Sequence, residues 1–244
     1  TYGEINTWDL LLITDMSNLF AMKFSFNDDI GSWDVSNVTN MEEMFKLNFN
    51  FNQDLSNWNV SSVTNMSKMF VGASNASEDP ISWNISDWDV SSVTNMSNMF
   101  YNTQNFNADL SSWNLENVTN MAEMFRGAYN FEGQGLSTWD VSNVENMSNM
   151  FYNNHNFNGD ISSWNVGQVT DMDAMFRGAE IFNQDLSNWN VSSVANMHLM
   201  FYAASSFNQN LYSWDVSNVT NMDSMFFGAS NFNQDLSTWD VSNV

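Results

Sequence analysis

The chain has 244 residues, 28 of them acidic and 5 basic, which gives a formal net charge of -23. A surface of this charge repels phosphates, so nucleic acid and anionic membrane surfaces are excluded as partners. The chain lacks cysteine and any apolar run long enough to cross a bilayer, which excludes disulfides, thiolate metal sites and membrane insertion.

A tryptophan recurs about every 25 residues, and the same phrase surrounds each one. The recurring residues are Trp8, Trp33, Trp58, Trp88, Trp113, Trp139, Trp164, Trp189, Trp214 and Trp239. Self-similarity at this period predicts a solenoid, in which no coil can bury its apolar face alone. We therefore predict one α/β repeat solenoid of about ten coils over residues 1–244. Both ends fall in mid-repeat, so we expect either a piece of a longer array or open ends that stack.

Each coil begins with a predicted short strand. In LSNWNVSSV (residues 186–194) the alternation predicts that Trp189 and Val191 point inward. The following VTNMxxMF carries Met, Met and Phe at i, i+3 and i+4, which predicts one helical turn. The Thr of this phrase is the predicted N-cap, and Thr39 with Glu42 forms a predicted capping box. A Gly or Asn two residues after the Phe should end the turn in the left-handed conformation.

Two intervals depart from the period. Five extra residues lie between Trp58 and Trp88, where residues 83–92 read as a duplicated pentad after Pro80, the only proline. We predict a bulging loop near residues 80–88. The other interval, FEGQGL at residues 131–136, has one added residue and Gly135 in the usual place of Asp.

The phrase NVTNMxxMFxGAxxFNQDLSxWDVS resembles the repeats of BspA-like leucine-rich-repeat surface proteins, in the subgroup with a 25-residue unit. The resemblance covers essentially the whole chain. It implies a right-handed leucine-rich-repeat-like solenoid, exported to the surface of bacteria or unicellular eukaryotes, that attaches to a protein or glycan without enzymatic activity. One alternative is a structural protein that assembles into fibres or layers, and another is a ladder that binds Ca²⁺ or ice.

In six coils an aspartate stands two residues after the Phe-Asn pair. Hard cations such as Ca²⁺ prefer oxygen ligands of this kind, so this column is the weak candidate metal ladder: Asp29, Asp54, Asp109, Asp160, Asp185 and Asp235. Asp and Asn at fixed turn positions more often accept hydrogen bonds from nearby amides, and we favour that interpretation. No cofactor is predicted. A second column, the Asp or Asn after each Trp, is too uniform for one unique protein ligand and favours a periodic partner.

The position after the Phe of MxxMF is the most varied, with Lys46, Val71, Tyr101, Arg126, Tyr152, Arg177, Tyr202 and Phe227. Tyr and Arg are frequent anchors of protein interfaces. We predict partner binding at Tyr101, Arg126, Tyr152, Arg177 and Tyr202. The alternative is an amphipathic rim that screens the Met and Phe core.

His155 and His198 lie in separate repeats without a neighbouring acid or nucleophile motif, so we predict no catalytic site.

Overall fold

The chain forms a solenoid of stacked coils. The computed structural model describes residues 4–73 and 81–244. Within these ranges the helices are two 3₁₀ segments, Ile5–Thr7 and Leu136–Thr138, and no continuous strand occurs. Single parallel β-bridges join neighbouring coils through Asp15, Asn40, Asn65, Asn95, Asn120, Asn146, Asp171, Asn196 and Asn221. The repeat solenoid predicted from the period is therefore present, but it is built almost entirely from turns.

The predicted short strand does not form. Trp58 and Val60 are buried and Asn59 is exposed, so the inward and outward alternation is as predicted. Tight turns flank this triplet, because Trp58 N donates to Leu55 O at 3.0 Å and Val63 N donates to Val60 O at 2.9 Å. The extended stretch between them is too short to build a backbone ladder with the next coil, since a ladder needs repeated pairs of bonds.

The predicted helical turn is also wrong. Every second amide, at Met41, Glu43, Phe45 and Leu47, donates to a carbonyl of the next coil over 2.7 to 3.1 Å. The intervening amides of Met44 and Lys46 close four-residue turns, as when Met44 N donates to Met41 O at 3.2 Å. Glu43 and Leu47 have φ of 57° and 55°, which a right-handed helix does not allow. A run of turns places the two Met and the Phe on the buried side just as a helix would, so periodicity alone did not separate the two.

The predicted N-caps have a different role. Thr39 Oγ1 donates to Thr14 O of the preceding coil at 3.2 Å, and Thr64 Oγ1 donates to Thr39 O at the same distance. The capping box of Thr39 and Glu42 is absent because the amide of Glu42 donates instead to Asn40 Oδ1 at 3.1 Å. The left-handed conformation two residues after the Phe is present, for example at Gly72 with φ of 61°.

The core consists of aromatic columns that run along the stack. Seven neighbouring pairs of the tryptophan series have ring centroids 6.1 to 6.5 Å apart, as in Trp164 and Trp189 at 6.3 Å. Each buried indole also donates to a carbonyl of the preceding coil, and Trp189 Nε1 reaches Ile161 O at 3.1 Å. Tryptophan suits this position because it fills the core and satisfies its own polar atom.

The bulge predicted before Trp88 falls partly outside the part of the chain that the structure describes, so it stays a prediction. Residues 74–80, with Pro80, lie outside the described residues. Trp83 takes the place of a Phe, because its ring stacks on Phe70 at 4.0 Å as Phe51 stacks on Phe45. Ile85 then follows after one residue, whereas three residues separate Phe51 from the equivalent leucine. The edge of the coil is therefore two residues shorter over 81–88.

Candidate interaction surfaces

The column of candidate metal ligands shapes turns. Asp54 Oδ1 accepts from Ser56 N at 2.9 Å, and Asp160 Oδ1 accepts from Ser162 N at 3.0 Å and from its hydroxyl at 2.7 Å. The remaining members accept the amide two residues on in the same way: Asp29, Asp109, Asp185 and Asp235. Within residues 4–73 and 81–244 no three His, Asp or Glu side chains converge on a point that could hold a metal ion. This geometry gives each carboxylate a structural role in its coil.

Hydrogen bonds within these turns change the acidity of the carboxyls. The Ser162 hydroxyl, and then its amide, lower the pKa of Asp160 below the ordinary value. The Ser56 amide is the main cause of the lowered pKa of Asp54, followed by its hydroxyl and by the side chain of Asn84. The ionised carboxylate is favoured because each donor bonds more strongly to it than to the neutral acid.

Two further columns repeat the same motif. The Asp or Asn after each Trp is exposed and accepts the amide two residues on, as Asp215 does from Ser217 N at 3.1 Å. The Asp or Asn of each β-bridge does the same, as Asn65 does from Ser67 N at 3.0 Å. Each regular coil thus has three such turns. The sequence analysis missed the turn at the β-bridge residue, although the recurring Asp/Asn-x-Ser spacing was a signal for it.

The five residues predicted to bind a partner form one column on the surface. We call this column, with Phe227 at its end, the aromatic ridge. The Arg126 guanidinium carbon lies 5.4 Å from the ring centroid of Tyr101 and 4.4 Å from that of Tyr152. The Arg177 guanidinium carbon lies 4.8 Å from the ring centroids of both Tyr152 and Tyr202. The ridge is therefore a continuous series of Tyr–Arg stacks.

Backbone bonds set the spacing of the ridge. Gly127 N donates to Tyr152 O at 2.8 Å, and Gly178 N donates to Tyr202 O at 2.8 Å. The five predicted residues are half-buried, and Tyr202 stacks on the exposed Phe227 with centroids 5.0 Å apart. Because the backbone fixes neighbouring coils in register, the ridge side chains lie at stacking distance from one another.

The two arginines of the ridge differ in their charge partners. Arg126 Nη1 forms an ion pair with Glu123 Oε2 at 2.9 Å. The corresponding position beside Arg177 is Ala174, and in the part of the chain that the structure describes no carboxylate pairs with Arg177. Arg177 is thus stacked between two rings but retains an unneutralised guanidinium.

The two histidines contact acidic side chains of other coils. His198 Nδ1 lies 2.7 Å from Asp173 Oδ1, and its Nε2 lies 3.9 Å from Asp223 Oδ2. His155 Nδ1 lies 3.4 Å from Glu180 Oε1. The sequence analysis missed these contacts because the partners are about 25 residues away along the chain but adjacent across the stack.

The fold and surfaces define a repeat solenoid whose coils are held together by side-chain and backbone ladders. The family model described as "Mycoplasma protein of unknown function, DUF285" matches residues 1–87, 76–185 and 128–239, so the chain belongs to this family. A comparison with functionally curated proteins gave no match. None of the helices within residues 4–73 and 81–244 has the length and apolar character needed to cross a bilayer.

Among solved structures, an internalin (inlF) from Listeria monocytogenes is similar at 11 % sequence identity with a TM-score of 0.24. The alignment covers 80 % of this chain and 55 % of the internalin, so the chain spans about half the length of that protein. A likeness at this level carries no argument about function.

Proposed function

We propose that the chain is a non-enzymatic adhesion or protein-interaction module of a cell surface, and that the aromatic ridge binds its partner. The observation that carries the proposal is the unbroken Tyr–Arg stacking from Tyr101 to Tyr202. The resemblance to BspA-like repeats supports the extracellular location and the attachment role. Assembly into fibres or layers stays a prediction.

The stacking prepares the ridge for binding. Tyr and Arg account for much of the binding energy at protein interfaces. Ordering long side chains on association costs about 0.5–1.5 kcal/mol each, and side chains that are already ordered avoid most of that cost. In this ridge each guanidinium is held between two rings before any partner arrives.

Arg177 is the proposed anchor of the interface. Its planar guanidinium can bind a carboxylate through two parallel hydrogen bonds. The equivalent charge on Arg126 is already neutralised by Glu123. The partner should therefore present a carboxylate that docks between Tyr152 and Tyr202.

The test measures binding of the purified chain to immobilised extracellular-matrix proteins and to a glycan array. We expect Arg177→Ala to weaken the binding found there at least tenfold, about 1.4 kcal/mol, and Arg126→Ala to weaken it less. Thermal unfolding of both variants provides the control, because both remove one stacked guanidinium. Unchanged binding of a folded Arg177→Ala variant would overturn the proposal, as would equal losses in the two variants.

A further inference from the structure

A notch interrupts the otherwise uniform edge of the solenoid between the coils of Trp83 and Phe106. It encloses about 620 Å³ and is lined by side chains of four successive coils, among them Asn84, Asn107, Glu132 and Asn156. This volume is in the range of small-molecule sites in proteins, about 300–1,000 Å³. The notch is therefore large enough for a ligand of two or three rings.

Two departures from the repeat open the notch. The first is the shortened edge at residues 81–88, which removes two residues from one wall. The second is Ala108, which stands where four other coils have Gln. In those coils the Gln amide closes the edge, since Gln184 Nε2 donates to Asn158 O at 2.9 Å and to Asn158 Oδ1 at 3.1 Å. By the same spacing of 26 residues, a Gln at position 108 would reach toward Ser82, and its longer side chain would fill part of the notch that Ala108 lines.

The wall of the notch carries a ladder of amides. Asn130 Nδ2 donates to Asn105 Oδ1 at 3.3 Å, and Asn156 Nδ2 donates to Asn130 Oδ1 at 3.5 Å. An amide side chain has two donor hydrogens and two acceptor lone pairs. The ladder uses one of each at Asn130, which leaves one donor and one acceptor that point away from the ladder. Asn130 is exposed, so these remaining groups are accessible to a ligand.

The residues that line the notch include apolar side chains at its base and a negative charge at its wall. Trp83 and Phe106 lie beneath the notch but are each only 1 % exposed, so the apolar surface open to a ligand is that of Ile81 and Ala108. None of the described lining residues is Lys or Arg, and Glu132 is the charged group among them. Anionic ligands are therefore disfavoured in a chain of net charge -23.

We propose that the notch binds a short neutral saccharide. The hydroxyl pairs of a sugar both donate and accept hydrogen bonds, which matches the amide ladder and the Glu132 carboxylate. The C–H face of the sugar ring would pack on the partly exposed side chains of Ile81 and Ala108. This site lies apart from the aromatic ridge and does not depend on the function proposed for it.

The test uses the full chain and a panel of neutral probes, namely maltotriose, cellotriose, lactose and N,N′-diacetylchitobiose, with digalacturonic acid as the anionic comparison. Isothermal titration should show at least one neutral probe binding with a Kd of about 1 mM or tighter, and digalacturonic acid should bind at least tenfold more weakly. Ala108→Gln should reduce the neutral binding at least tenfold.

The variants are chosen to separate loss of the site from loss of the fold. Ala108→Gln introduces the residue that other coils already carry at positions 53, 184, 209 and 234, so its melting temperature should not fall. Asp215→Asn lies outside both the notch and the aromatic ridge, introduces the residue that makes the same turn at Asn190, and should leave saccharide binding unchanged. The proposal is overturned if no neutral probe binds at probe concentrations up to tenfold above a Kd of about 1 mM. It is also overturned if the Ala108→Gln variant binds the neutral probes as tightly as the parent does, or if digalacturonic acid binds as tightly as the neutral probes.

Discussion

Asn154 is a fully buried amide whose removal should stabilise the solenoid. Neither its Oδ1 nor its Nδ2 has a hydrogen-bond partner in the structure. The same position of other coils holds buried alanines: Ala73, Ala128, Ala179 and Ala204. The sequence therefore already shows that a methyl group fits this place in the stack.

The expected change in the free energy of unfolding is the difference between two opposing effects. A buried polar group without a partner costs about 1–3 kcal/mol. Truncation to alanine leaves a void, and a void of roughly 30 Å³ costs about 0.7 kcal/mol at about 24 cal/mol per Å³. Asn154→Ala should therefore raise the free energy of unfolding by about 0.5–2 kcal/mol. For a chain of this size a gain of about 1 kcal/mol raises the melting temperature by about 2–4 °C.

Asn48 provides the matched control, because it occupies the same column and is equally buried. In the orientation that satisfies its amide, its nitrogen donates to Phe26 O and Lys23 O, both at 3.0 Å. Asn48→Ala removes these bonds and should lower the free energy of unfolding by about 1–3 kcal/mol. Calorimetry and urea unfolding of both variants give the comparison. A lower stability of Asn154→Ala, or shifts of the same sign in the two variants, would refute the reasoning.

Three further predictions concern the core, the acidic turns and one glycine. Trp189→Phe should lower the free energy of unfolding, measured in urea, by about 2–4 kcal/mol, because it leaves a void and an unpaired carbonyl. Trp83→Phe should lower it by less, since Phe fills that position in other coils. Equal losses in the two variants would contradict this. Asp160 has a lowered folded pKa, so its stabilising effect is present above the unfolded pKa of about 3.9 and is lost as the pH falls through the folded value. Asp160→Asn should therefore reduce the stability difference between pH 7 and pH 3, as Asn210 in the same column already makes this turn without a charge; an unchanged difference would count against the turn as its source. Gly135→Ala should destabilise by at least about 1 kcal/mol, because φ is +80° and a Cβ would clash with the backbone nitrogen of Ser111 in the preceding coil. A melting temperature equal to that of the parent would show that the turn relaxes.

The repeat period predicted the inside and outside of each coil but not its backbone. Trp189 and Val191 are buried where alternation placed them. The Met and Phe residues were assigned to a helix because their i, i+3, i+4 spacing places them on one side of it. Their conformation depends instead on where alternate amides find acceptors, and those acceptors lie in the next coil, about 25 residues away. Local pattern carries no information about bonds of that separation.

For the candidate surfaces too, the sequence predicted which residues lie together but not the contacts between them. The alternation of Tyr and Arg was visible in the sequence, and the period implied that these residues lie in one column. Their stacking distances, and the missing ion pair at Arg177, needed the structure. The notch was hidden because Trp83 reads as a duplicate of Trp88, whereas packing on Phe70 gives it the place of a Phe.

The donation of every second amide to the next coil has a consequence for how such a chain changes in length. Each junction uses the same set of backbone partners, so a whole unit of 25 residues can be gained or lost while the coils on either side keep equivalent neighbours. An insertion of any other length must lie outside the segments whose amides bond to the next coil. The 26-residue interval adds its residue at the Phe-Asn edge, where Gly135 lies, and the 30-residue interval adds its residues in the sequence between Phe70 and Trp83, just before that edge. Unequal recombination between repeats would therefore yield foldable proteins mainly in whole steps, and the Phe-Asn edge is where new sequence can enter.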